Sequence, residues 1–82
     1  MPNETLTNEV RLLRFLADDM TQGELGRRVG LTRQTIAAIE QGRYSPSLEV
    51  AFRIADVFGK KIDDVFKWSA SSENAPAREA WK

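Results

Sequence analysis

The sequence predicts an all-α fold, a compact domain of five short helices. Three observations predict it. Apolar residues recur three and four apart along most of the chain, and strand-like alternation is lacking. Gly, Pro and Ser punctuate the chain at intervals that suit short helices. The length of 82 residues, with 41% hydrophobic and 29% charged content, suits one small globular domain. The domain is read as 1–68, with its core in 8–68, and 69–82 as a polar tail rich in Ser and Ala that carries Trp81.

The first helix is expected over about 8–18, with Val10, Leu13, Leu16 and Ala17 on one side and Arg11 and Arg14 off that stripe. The second is expected over 22–29. Thr21 is placed to cap it, Glu24 completes a capping box, and Gly30 suits a left-handed end. The third runs over about 33–41, capped by Thr32 and ended by Gly42. Ser45 precedes Pro46 and is therefore extended. Ser47 caps a fourth helix over about 48–58, with Leu48, Ala51, Ile54, Ala55 and Phe58 on its inner side, and Gly59 closes it. A short fifth helix is expected over 62–66, with Ile62, Val65 and Phe66 apolar.

Several function classes are excluded by composition. The chain has no Cys and no His, so disulfides, thiolate metal sites and imidazole acid–base chemistry are absent. Two adjacent acidic pairs, Asp18–Asp19 and Asp63–Asp64, do not converge as catalytic carboxylates must, because consecutive helical residues diverge. No glycine-rich phosphate loop is present, and no enzyme activity, cofactor or small-molecule substrate is expected. There is no apolar run of roughly 18 residues and no charged-then-apolar leader, which points to a cytoplasmic protein with no membrane role. Net charge is zero, whereas a basic domain is the usual footprint of nucleic-acid binding. The distribution matters more: residues 1–20 carry −2 and residues 27–44 carry +3, so one face is locally basic.

That basic region contains the constellation that carries function. The second and third helices are joined only by "GLT", the spacing of a helix-turn-helix. Gly26 removes a side chain where the third helix must approach, a packing reason that offsets its helix cost of about 1 kcal/mol. Gly23 has no such reason. On the third helix Ile36 and Ile39 point inward, while Gln34, Ala37, Ala38 and Gln41 point away, with Arg33 and Thr35 on the flanks. Nine residues span roughly 13 Å, close to the width of a B-DNA major groove. The two Ala keep the exposed face low. Gln pairs bidentately with adenine, Arg with guanine, and a Thr or Ala methyl touches thymine.

The run "MTQGELGRRVGLTRQTIAAIEQGRYSPSLEVAFRIADVFGKKIDDVF" closely resembles the phage-repressor-like helix-turn-helix regulators, the Xre family, and most of all their short stand-alone members. The resemblance covers about 8–68 and implies a lambda-repressor-like five-helix domain that binds double-stranded operator DNA as a homodimer. It implies that Gln22 contacts a phosphate and braces the third helix. Thr32, Arg33, Gln34 and Thr35 form the reading end, and Ala38 offers at most a methyl contact where some relatives carry a polar reader. Gln41, Arg43 and Tyr44 face backbone phosphates. Glu40 pairs with an Arg of the first helix, and the candidate is Arg14, one residue further from "TQ" than the pattern has it. The dimer contact is expected around Ile62, Val65, Phe66 and Trp68.

The plainer readings stand beside these. Arg27, Arg28 and Arg11 read as solvated charge, and Tyr44 as a residue packed on the fourth helix. For the whole chain the alternative is a protein-interaction module, such as an antitoxin or adaptor, held by the tail and Trp81.

Overall fold

The computed structural model describes residues 5–69. In chain order the elements are β1 (Thr5–Asn8), α1 (Val10–Leu16), α2 (Gln22–Val29), α3 (Arg33–Glu40), α4 (Leu48–Val57), α5 (Ile62–Val65) and β2 (Phe66–Ser69). The all-α expectation is therefore right for the five helices and incomplete at the ends. The two short strands pair antiparallel, Thr5 with Ser69, Leu6 with Trp68, Thr7 with Lys67 and Asn8 with Phe66.

The helix starts follow local chemistry. Thr21, Thr32 and Ser47 are extended, and each accepts a hydrogen bond through its side-chain oxygen from a backbone N–H three residues on. The first helix is shorter than expected, Val10–Leu16 rather than 8–18. It is followed by a turn in which Asp18 and Asp19 both take positive φ, +60° and +57°, a conformation that Asp tolerates better than most residues. Leu16 is consequently not on the buried stripe. It is 66% exposed, and Leu12 and Phe15 are exposed beside it. Leu48, expected on the inner side of α4, is also exposed, because it sits in the first turn beyond the packed surface.

Every helix contributes to one core. Val10 comes from α1, Leu25 and Val29 from α2, Ile36 and Ile39 from α3, Ile54 and Ala55 from α4, and Val65 from α5. Leu13, Met20, Leu31, Val50, Val57, Phe58, Ile62 and Phe66 pack around that centre. Val65, expected at a dimer contact, is fully buried within the single chain and has no surface to offer a partner. The fifth helix ends at Val65, one residue early. Phe66 adopts φ −113°, ψ 132° and begins β2. Trp68 stands on that strand, 65% exposed. Ser69, expected to open the tail, belongs to β2; the tail reading for 70–82, including Trp81, lies outside the described residues.

The sheet matters for what it holds. Asn8 ends β1 and starts α1: its side-chain oxygen accepts from the Val10 N–H at 3.1 Å, and its amide donates to the Ile39 carbonyl at 2.9 Å. The backbone N–H of Glu9 donates to the Val65 carbonyl at 2.8 Å. The small sheet therefore ties the start of α1 to the ends of α3 and α5. No described helix is long and apolar enough to cross a membrane.

Candidate nucleic-acid interface

The angle between α2 and α3 is set by glycine chemistry. Gly30 sits at φ +82°, the left-handed end of α2. The N–H groups of Gly30 and Leu31 both donate to the Gly26 carbonyl at 2.8 Å. A Cβ on Gly26 would lie 2.4 Å from the Leu31 carbonyl oxygen and 3.3 Å from the Thr32 carbonyl carbon. Gly26 thus admits the turn and the cap of α3 close against α2. A Cβ on Gly23 would meet only the Thr21 hydroxyl, at 3.9 Å, and nothing in the structure explains that glycine.

The rotation of α3 about its axis is set by Ile36 and Ile39, both buried. The opposite side carries exposed Arg33, Gln34 and Gln41, with half-buried Thr35, Ala37 and Ala38 between them. The Thr32 hydroxyl accepts from the Thr35 N–H at 3.1 Å and lies 3.0 Å from the Thr35 hydroxyl. Both hydroxyls are therefore engaged in holding the helix start. Arg33 and Gln34 make no side-chain hydrogen bond among the described residues, so their donors and acceptors face outward unspent. After α3, Gly42 at φ +78° reverses the chain, and the Arg43 N–H closes on the Ala38 carbonyl at 2.9 Å. The Arg43 side chain donates to Gln41 Oε1 at 2.8 Å. Tyr44 is 51% exposed rather than packed away on α4.

Glu40 anchors the far end of α3. Arg14 Nε donates to its Oε2 at 2.6 Å and Arg14 Nη2 to its Oε1 at 3.0 Å, a bidentate pair. Gln22 Nε2 donates to the same Oε1 at 3.1 Å, and Arg14 Nη1 donates to the Met20 carbonyl at 2.7 Å. Arg14 and Glu40 are 16% and 5% exposed, so the pair works in poor solvent screening. The hydrogen bond to Glu40 raises the Arg14 pKa, against the cost of burial, and Arg14 stays cationic throughout the accessible pH range. Arg14 reaches Glu40 at the spacing this sequence has, and the turn at Asp18 and Asp19 follows α1 before "TQ".

Other cations are differently placed. Arg27 and Arg28 both pair with Glu24 along α2, and Arg53 pairs with Glu49 on α4 at 2.6 Å. The hydrogen bond from Arg28 and the charge of Arg27 lower the Glu24 pKa. Asn8 is the positioning residue that periodicity does not reveal. Its signal is local, a short polar side chain two residues before an apolar helix start, which is a capping pattern.

Three comparisons bear on this geometry. The model of a helix-turn-helix family, HTH_3, matches residues 12–65, which contain the whole α2–turn–α3 unit. An uncharacterized HTH-type transcriptional regulator of Methanocaldococcus jannaschii is 48% identical over 61 residues, which are 74% of this chain and 91% of that protein. The HTH-type transcriptional regulator YgzD of Bacillus subtilis, also uncharacterized, is 54% identical over 46 residues, 56% of this chain and 70% of that one. Among solved structures, a Bacteroides fragilis chain described as a candidate DNA-binding protein superposes with a TM-score of 0.67. It shares 16% identity and covers 77% of this chain and 100% of its own length, a likeness of fold. Turn, caps, family match and relatives agree: the chain belongs to the Xre-type, lambda-repressor-like helix-turn-helix family of transcriptional regulators.

Proposed function

We propose that the protein is a sequence-specific DNA-binding transcriptional regulator that lays α3 in the major groove. The carrying observation is that Arg33 and Gln34 face outward, uncommitted, at the start of a helix whose rotation is fixed by Ile36, Ile39 and the Glu40 network. Helix-turn-helix proteins place base contacts at that end of the recognition helix. In this reading Arg33 and Gln34 read base edges, and Thr35 and Ala38 offer methyl contacts. Thr32 acts through its backbone, since its hydroxyl is already engaged. Gln41, Arg43 and Tyr44 continue toward the phosphates on one flank, and Gln22 combines bracing with a phosphate contact on the other.

The regulator acts as a homodimer on a near-palindromic operator, with two copies of α3 about 34 Å apart. In this reading it acts as a repressor or as an autoregulator. The dimer contact is carried by Ile62, Phe66 and Trp68, of which Trp68 is the most exposed. Selection of duplexes from random DNA tests the function directly. A recovered consensus with two related half-sites one helical turn apart supports it; no enrichment over input DNA sinks it.

A further inference from the structure

Arg11 is on the outer side of α1 and is exposed, and so is Arg33 at the start of α3. Both line one concavity, together with Arg14, Phe15, Asp19 and Gln22. Neither Arg11 nor Arg33 makes an ion pair among the described residues. Arg27, Arg28 and Arg53, by contrast, are each held by a carboxylate on their own helix. Two outward arginines with no ion pair among the described residues, on separate elements and around one hollow, are an arrangement the core does not require.

The hollow carries a positive balance. Arg14 is neutralised by Glu40, which leaves Arg11 and Arg33 against the single carboxylate of Asp19. The hollow also opens beside the N-terminal ends of both α2 and α3, where backbone N–H groups and the helix dipoles add to the field. Its rim includes Gln22 and Arg33, so it borders the face proposed for DNA.

We propose that Arg11 holds a backbone phosphate of the bound duplex in this hollow, on the α1 side of the recognition helix and beside the base-reading Arg33. The inference rests on the DNA-binding reading and adds a contact made by the first helix. A planar guanidinium suits it, because Arg presents parallel donors to two phosphate oxygens. The contact carries no sequence information and sets register and affinity.

The test is fluorescence anisotropy of the full chain on a duplex selected from random DNA and on its scrambled counterpart, over a series of KCl concentrations. Arg11→Ala is expected to lower the slope of log K against log salt by about 0.9 for each copy bound, and to weaken both duplexes by the same factor. Arg11→Lys, which keeps the charge, is expected to restore most of the slope. An unchanged slope in Arg11→Ala, with wild-type binding intact, overturns the contact and leaves DNA binding standing. Loss of discrimination between the two duplexes in Arg11→Ala also overturns it, since a phosphate contact weakens both alike. Wild-type protein that binds neither duplex removes the DNA-binding reading itself.

Discussion

At the scale of single residues, Glu40 has the largest consequence. It joins α1 through Arg14, α2 through Gln22 and α3 through its own backbone, and its side chain is 5% exposed. Glu40→Ala leaves the Arg14 guanidinium unpaired in a poorly solvated site. The expected loss is about 2–4 kcal/mol, toward the range for breaking a buried pair, read as a fall in the urea midpoint. Glu40→Gln keeps one acceptor for Arg14 and loses less. Gln22→Ala removes one hydrogen bond to a charged group, and a loss of about 1–2 kcal/mol is expected. An acid titration reads the contribution of Glu24. Its folded pKa is lowered by Arg28 and Arg27, so its contribution is present above the ordinary Glu range and is lost as pH falls through the lowered value. Glu24→Gln therefore flattens the acid limb of the stability curve while leaving the neutral-to-alkaline region parallel to wild type. A variant curve that falls as steeply as wild type on the acid side contradicts that.

At the scale of elements, the turn between α2 and α3 is the most constrained piece. Gly26→Ala must push the Leu31 carbonyl away from a 2.4 Å contact, and the backbone on both sides is fixed by hydrogen bonds to the Gly26 carbonyl. A loss of about 1–3 kcal/mol in stability is expected from this overpacking, with DNA affinity falling further as α3 is displaced. Thermal unfolding beside anisotropy separates the two effects. If Gly26→Ala melts and binds like wild type, the close approach is not what sets the angle. The same unit is the most legible part of the sequence. Thr21, Gly30 and Thr32 are local signals, and α2 falls on 22–29 as they indicate, while the Glu24 carboxylate pairs with Arg27 and Arg28 instead of closing the expected capping box. The strands are not legible. "TLTN" and "FKWS" are four residues each, with most of the chain between them, and their pairing depends on a fold that brings these distant segments together. Leu16 misleads for a related reason. Its spacing fits the inner stripe, but two left-handed Asp residues turn the chain before that stripe is completed. The Arg14–Glu40 pair is named only through the family resemblance, and the structure shows that it closes.

At the scale of the whole molecule, zero net charge and local basicity coexist because several cations are spent on helical carboxylates. Arg33 and Arg43 pair with no carboxylate among the described residues, and they lie along or just after α3. The proposed homodimer is the other feature that belongs to this scale. Phe66 is half-buried against the core, so an acidic substitution there would disturb the fold as well as a contact. Trp68 is the cleaner probe, since most of it already faces solvent. Trp68→Glu is expected to halve the mass seen by sedimentation equilibrium while the helical circular dichroism persists. A wild-type chain that sediments as a monomer, or a variant dimer, removes Trp68 from the interface. Two copies joined as proposed would also multiply the salt dependence of DNA binding, because each would bring its own phosphate contacts.

The most direct measurement is fluorescence anisotropy of the wild-type chain and an Arg33→Ala, Gln34→Ala double variant, on a duplex selected from random DNA and on its scramble. Removing each bidentate pairing with a base edge should cost about 1–3 kcal/mol on the selected duplex, while the scrambled duplex is affected much less, so discrimination collapses. A double variant that discriminates as well as wild type would contradict base reading by Arg33 and Gln34, and a wild-type chain that binds no selected DNA would mean that the "TRQTIAAIEQ" face meets a protein instead.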